Sequence, residues 1–139
     1  FGLLGAKANE IVPFKRPLSS MTPTIVMKEG KLFFTTGSPG GSRIISAVLQ
    51  SILNIIDFEM NLEEATFAKR IHHQWQPDIL EIEFSINENM FEELERIGYK
   101  VKVSKPLTCI QTIMLNGNTF SGYGDFRRPD AYASGAIND

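Results

Sequence analysis

Thr35-Thr36-Gly37-Ser38-Pro39-Gly40-Gly41-Ser42-Arg43 joins a strand to a long amphipathic helix, and the reading of this junction decides the fold. Upstream, Leu32-Phe33-Phe34-Thr35-Thr36 is a short apolar and β-branched run, the pattern of a buried strand. Downstream, Ile44, Ile45, Val48, Leu49, Ile52, Leu53 and Ile56 recur with helical spacing, which predicts a core helix with one almost wholly apolar face. Gly40 and Gly41 have no side chain to block approach. Their N–H groups fall at or just before the helix N-terminus, where amides lack intrahelical partners. The helix dipole adds partial positive charge there, so a carboxylate, a phosphate or an acyl-transfer oxyanion fits. A tight bend needing positive φ is the other reading of the same glycines.

The stretch matches neither the GxxxxGKS/T phosphate loop nor the GxGxxG dinucleotide fingerprint. Nor is it GxSxG: Ser38 has the wrong flanks for a nucleophile elbow, and Pro39 removes the N–H that such an elbow places in its oxyanion hole.

Working outward, residues 24–27 and 32–36 read as a hairpin turned at Lys28-Glu29-Gly30-Lys31. Before it, Pro17 and Pro23 stiffen an extended segment and hold Ser19 and Ser20 on a defined path. Residues 1–15 show no periodicity and read as an irregular lead-in. After the long helix, Asn61 caps a short helix over residues 62–68 that carries acids in its first turn. Residues 79–84 alternate like a half-buried strand, and residues 87–97 form a helix stopped by Gly98 with a solvated acidic face. Strands over residues 99–103, 109–115 and 119–122 complete the order, the last two turned at Asn116-Gly117. The layout is mixed α/β in one domain.

With 139 residues and 42% apolar content, the chain is large enough to bury a core. A net charge of −2 with interspersed signs leaves no basic stripe for nucleic acid. The longest apolar stretch is interrupted by Ser46, Gln50, Ser51 and Asn54 and falls short of the roughly 18 residues of a membrane span. The single Cys109 allows no intrachain disulfide and is expected in the core, and no Cys/His spacing suggests a zinc site. The start, Phe1-Gly2-Leu3-Leu4, lacks an initiator Met and a signal layout, so the chain is expected to be the middle of a longer polypeptide.

A second block, Arg16-Pro17-Leu18-Ser19-Ser20-Met21-Thr22-Pro23-Thr24-Ile25, stands beside the glycine bend. Taken with Gly37-Ser38-Pro39-Gly40-Gly41-Ser42-Arg43-Ile44, Met60-Asn61-Leu62, Arg70-Ile71-His72-His73-Gln74-Trp75 and Arg127-Arg128-Pro129-Asp130, it resembles the γ-glutamyltransferase (γ-glutamyltranspeptidase) family. The blocks follow the family's order over nearly the whole chain, and Phe126 departs from it by standing where the family usually has proline. The resemblance covers only the C-terminal portion of the small subunit. It implies part of the four-layered α-β-β-α sandwich of N-terminal-nucleophile hydrolases, with some sheet edges and apolar faces left exposed in this piece.

The same resemblance implies transfer of the γ-glutamyl group of glutathione to water or to an amino acid or peptide acceptor through a γ-glutamyl-threonine intermediate. No cofactor or metal is implied. Gly40 and Gly41 correspond to the oxyanion-hole pair. Ser19 and Ser20 correspond to the pair that binds the substrate α-carboxylate, toward which hydroxyls act only as donors; without the family they read equally as turn residues. The nucleophilic threonine and its amine base are expected before Phe1, so this span alone is expected to be catalytically silent. Implied partners are the large subunit and the remainder of the small subunit, and the implied location is periplasmic, secreted or at the cell surface.

Other residues favour structural roles. Side chains of His72 and His73 diverge on any regular backbone and have no third ligand at a suitable spacing. Trp75 reads as core or subunit interface, and Arg127-Arg128-Pro129-Asp130 as a salt-bridged loop in preference to an anion site. Two alternatives to the transferase stand. One is a related acylase with a β-lactam or poly-γ-glutamate donor; the other is a non-catalytic binding module.

Overall fold

The computed structural model describes residues 3–136. Its elements, in chain order, are β1 (Thr24–Lys28), β2 (Lys31–Gly37), α1 (Arg43–Ile56), α2 (Leu62–Phe67), β3 (Ile71–His72), β4 (Leu80–Glu83), α3 (Glu88–Arg96), β5 (Val101–Ser104), β6 (Gln111–Asn116) and β7 (Thr119–Gly122). One antiparallel sheet has the order β1-β2-β6-β7, and a second has the order β3-β4-β5 with β4 and β5 parallel across α3. The mixed α/β expectation therefore holds. Two features were not foreseen: the two-residue β3 that pairs Ile71 with Ile82, and a single 3₁₀ turn at Lys7–Asn9.

Local chemistry explains the boundaries. The β1–β2 loop is Glu29-Gly30 with both residues at positive φ, which matches the twist of a two-residue hairpin. Asn61 and Glu64 form a reciprocal capping box at α2. Asn87 accepts from the Met90 amide to cap α3, whose far end turns at Gly98 with φ of 105°. No residue of α3 is buried, in keeping with its acidic sequence.

The core lies between the first sheet and the helices α1 and α2. Phe34, Ile55, Leu62, Ala65 and Met114 form one cluster; Ile44, Ala47, Val48 and Ile110 form another; Ile52 touches both. Phe34 and Met114 are cross-strand partners on this face, and their neighbours Thr36 and Thr112 share a buried hydroxyl bond of 2.8 Å. Cys109 is buried just before β6, as expected of a core thiol.

The apolar pattern of α1 divides in two. Ile44, Ala47, Val48, Ser51 and Ile55 face inward, whereas Ile45, Leu49 and Ile56 are about half exposed. The helix thus carries more apolar surface than this span covers. The same holds on the other side of the first sheet, where Ile25 and Ile113 flank the half-buried Thr35 and, with neighbouring Phe120, lie open, Ile25 being 69% exposed. No helix among the described residues is long and apolar enough to cross a membrane.

Candidate active site

The hairpin register brings the two sequence-marked segments to one end of the sheet. Thr24 pairs with Thr36, so residues 19–23 enter β1 where residues 37–41 leave β2. Gly37 pairs with Gln111, which places residues 107–110 at that same end. No hydrogen bond among the described residues joins the serine segment to the glycine bend.

Gly40 and Gly41 both take left-handed backbone values, φ 135° and 62°, so the bend needs glycine on conformational grounds. A Cβ on Gly40 would lie 2.9 Å from Thr108 Oγ1 and 3.1 Å from Thr108 Cβ. The carbonyls of the two glycines accept the first amides of α1, Arg43 N at 3.3 Å and Ile44 N at 3.2 Å. Neither glycine N–H donates to another described residue. Two unpaired amides at the start of a 14-residue helix can bind an anion. Ser38 is no nucleophile: its hydroxyl contacts Thr108 Oγ1 and donates to the Pro39 carbonyl at 2.8 Å, and no base hydrogen-bonds it among the described residues.

Ser19 is exposed and Ser20 half-buried. Ser19 Oγ accepts from the Met21 amide at 3.2 Å, which turns the segment yet leaves the hydroxyl proton free to donate. The Ser20 carbonyl accepts from Thr22 Oγ1 at 3.0 Å.

Behind α1, the histidines diverge as expected. His73 Nε2 lies 3.1 Å from Asp78 Oδ1, whereas His72 is buried against the helix. Gln74 Nε2 donates to the Gln76 carbonyl at 2.9 Å, which turns Gln74 Oε1 toward Ser42 Oγ at 2.7 Å and His72 Nε2 at 3.0 Å. The other ring nitrogen of His72, Nδ1, lies 2.8 Å from Ser46 Oγ on α1, so the imidazole bridges the Gln74 side chain and the helix. Among the described residues, no group of three or more His, Cys, Asp or Glu could hold a metal. Trp75 is 69% exposed, which removes the core reading.

The largest surprise is a buried four-charge cluster. Arg127 binds Glu83 at 2.7 Å and Asp125 at 3.1 Å, with all three side chains inaccessible to solvent. Arg70 binds Asp125 at 2.9 Å. Two cations and two carboxylates balance, and no buried side-chain nitrogen or oxygen among the described residues lacks a partner. Burial alone pushes the Asp125 carboxyl up, but the amides of Ile110 and Arg127, with the Arg70 and Arg127 cations, outweigh it and hold the group below the ordinary carboxylate range. Burial, and then the Arg127 cation, hold Arg70 below the usual guanidinium range. The salt-bridged reading of the Arg127 loop is thus correct, though its acidic partners, Glu83 and Asp125, were not identified. Glu83 sits on a strand whose alternation suggested half-burial, and only its charge among apolar neighbours hinted at a partner.

A sheet covered by helices on one face and apolar on the other is one side of the sandwich that defines the N-terminal-nucleophile hydrolases, the class of its structural neighbours. The chain aligns with gamma-glutamyltranspeptidase from Helicobacter pylori at a TM-score of 0.86 and 44% identity, over 91% of this chain and 70% of that one. The transpeptidase enzyme CapD from Bacillus anthracis aligns at a TM-score of 0.77 and 25% identity, over 88% of this chain and 75% of the other. The glutathione hydrolase proenzyme of Escherichia coli (strain K12) is 47% identical over 97% of this chain. The gamma-glutamyltranspeptidase family model matches residues 1–135, and the chain belongs to that family. It spans 23% of the length of the Escherichia coli relative.

Proposed function

We propose that this single-domain span is the C-terminal portion of the small subunit of a γ-glutamyltransferase or glutathione hydrolase. Its role there is to bind the substrate α-carboxylate and stabilise the oxyanion. The carrying observation is the glycine bend: two left-handed glycines with unpaired amides at the start of α1, in a chain of this family. A threonine hydroxyl from outside residues 1–139 attacks the γ-carbonyl of glutathione or a related amide. The hydroxyl proton passes to the threonine's own α-amino group, the carbonyl oxygen gains negative charge and meets the N–H groups of Gly40 and Gly41, and the amine leaves with that proton to give a γ-glutamyl-threonine ester. Water or an acceptor amine then takes the γ-glutamyl group. Ser19 and Ser20 donate to the α-carboxylate, which sets donor specificity. The open apolar faces around Ile25, Ile113 and Ile45 support burial against the rest of the small subunit and the large subunit. Kinship supports a periplasmic, secreted or cell-surface location.

The test is donor preference in the full-length protein. A γ-glutamyl anilide is expected to be cleaved and an aliphatic acyl anilide to be a poor donor. Converting Ser19→Ala and Ser20→Ala together is expected to raise KM for the γ-glutamyl donor, at about 1–3 kcal/mol per lost charged contact, with a smaller change in kcat. Efficient use of the aliphatic donor with an indifferent serine pair would assign the protein to the related acylases.

A further inference from the structure

We propose that Thr108 is a positioning residue that aims the Gly40 amide, and that the buried Arg70–Asp125–Arg127–Glu83 cluster holds Thr108 in place. The inference rests on the oxyanion reading of Gly40 and Gly41.

A trans peptide is planar and directs its C=O and N–H to opposite sides. Whatever binds the carbonyl of one residue therefore aims the amide of the next. The Pro39 carbonyl accepts from the Thr108 hydroxyl. The Gly40 N–H, in the same peptide plane, must then point away from residues 107–110. One step along, the Gly40 carbonyl accepts from Arg43 N, so the Gly41 N–H points away from the first turn of α1. Helix formation alone orients the second amide, whereas the first depends on the side chains that bind the Pro39 carbonyl, the adjacent Ser38 hydroxyl and that of Thr108, 69 residues from Pro39. Ser38 Oγ is the second partner of Thr108 Oγ1, which ties the hydroxyl to both ends of the Ser38–Pro39 step. Thr108 also fills the space a Cβ on Gly40 would enter.

Thr108 has no regular structure of its own to fix it, because it precedes β6. The charged cluster does so instead. Arg70 Nη1 donates to the Thr108 carbonyl at 3.1 Å, Glu83 Oε1 accepts the Leu107 amide at 2.8 Å, and Asp125 Oδ2 accepts the Ile110 amide at 2.8 Å. Three main-chain groups within four residues are thus bound by three members of one salt-bridged unit. This gives a buried ion cluster a task beyond stability: it sets the position of a hydroxyl that aims an amide. A misplacement of about 1 Å can cost roughly a hundredfold in rate, so the device has leverage on the reaction.

The test uses the full-length protein with a γ-glutamyl anilide, activity being expressed per processed molecule. Thr108→Val keeps the shape and removes the hydroxyl; Thr108→Ser keeps the hydroxyl. T108V is expected to lose about tenfold or more in kcat with KM within about twofold, and T108S to stay within about threefold of wild type. Affinity for a boronate analogue that forms a tetrahedral anion should fall with kcat in T108V, while affinity for product glutamate should hold. A merely structural role would lower the melting temperature without that split. T108V retaining kcat within twofold of an active wild type would overturn the inference. A wild type with no turnover would instead overturn the oxyanion reading, and the inference with it. Should T108V fail to fold, Thr108→Ala removes the same hydroxyl from the Pro39 carbonyl with less bulk; a fall in kcat at constant KM is expected, and an unchanged kcat overturns the proposal.

Discussion

Replacing Gly40 with valine in the full-length protein is expected to lower kcat for a γ-glutamyl anilide by about 10²–10³, the usual cost of losing one oxyanion donor. A backbone N–H cannot be deleted by changing a side chain, so the substitution acts through conformation. At φ of 135° a β-branched residue is strained, and its Cβ would meet Thr108 Oγ1 at 2.9 Å. Thr108 has little freedom to yield, since its carbonyl is held by Arg70 and the flanking amides of Leu107 and Ile110 by Glu83 and Asp125. The glycine bend must move instead, and the amide turns away from the reacting oxygen. Steady-state kinetics on the processed variant read this as a loss in kcat with KM little changed. Turnover at the wild-type rate would remove Gly40 from the mechanism.

Replacing Arg127 with alanine is expected to be the most destabilising single change in the span, by about 3–5 kcal/mol, the range for removing one partner of a buried ion pair. Its guanidinium donates to Glu83 Oε2 through Nε at 2.9 Å, to Asp125 Oδ1 through Nη1 at 3.1 Å and to the Ala68 carbonyl through Nη2 at 2.8 Å. It also stacks at 4.7 Å from the Phe126 ring centre and 5.4 Å from that of Phe84. Alanine leaves Glu83 with no guanidinium partner, only the Arg70 and Leu107 amides, and Asp125 with the Arg70 guanidinium. Lysine restores a charge without the planar fork and is expected to recover only part of the loss. Urea unfolding of the full-length protein measures both, and a shift below about 1 kcal/mol for R127A would show that the cluster contributes little. The same cluster gives stability a definite pH dependence. The folded Asp125 carboxyl is depressed, so its contribution is complete above the unfolded carboxylate pKa and is lost as pH falls through its lower folded value. Asp125→Asn should flatten that acid limb.

Much of this architecture is legible along the chain because it is set locally. Alternation and helical periodicity mark the strands and helices; Asn61 and Asn87 announce their caps; Gly30, Gly98 and Gly117 announce their turns. The glycine bend was readable for the same reason, since strand, glycines and helix are contiguous. What covers an apolar face is not local, which is why Ile45 and Leu49 read as core yet lie half exposed. Buried charges are hidden in the same way. Arg127 meets Glu83, 44 residues earlier, and Arg70 meets Asp125, 55 residues later, and neither spacing has a periodic signature. Thr108 was one threonine among several until the pairing of Gly37 with Gln111 brought its segment against the bend.

The central claim is that this span supplies recognition and oxyanion donors to an acyl transfer whose nucleophile lies outside residues 1–139. Acid-quenching the full-length protein during turnover of a γ-glutamyl donor, followed by peptide mapping by mass spectrometry, tests it directly. The account predicts a γ-glutamyl ester on a threonine preceding Phe1 and unmodified peptides across residues 1–139, with less adduct in the Gly40→Val variant. A γ-glutamyl adduct on Ser38, Thr108, Cys109 or any other residue of the span would contradict it.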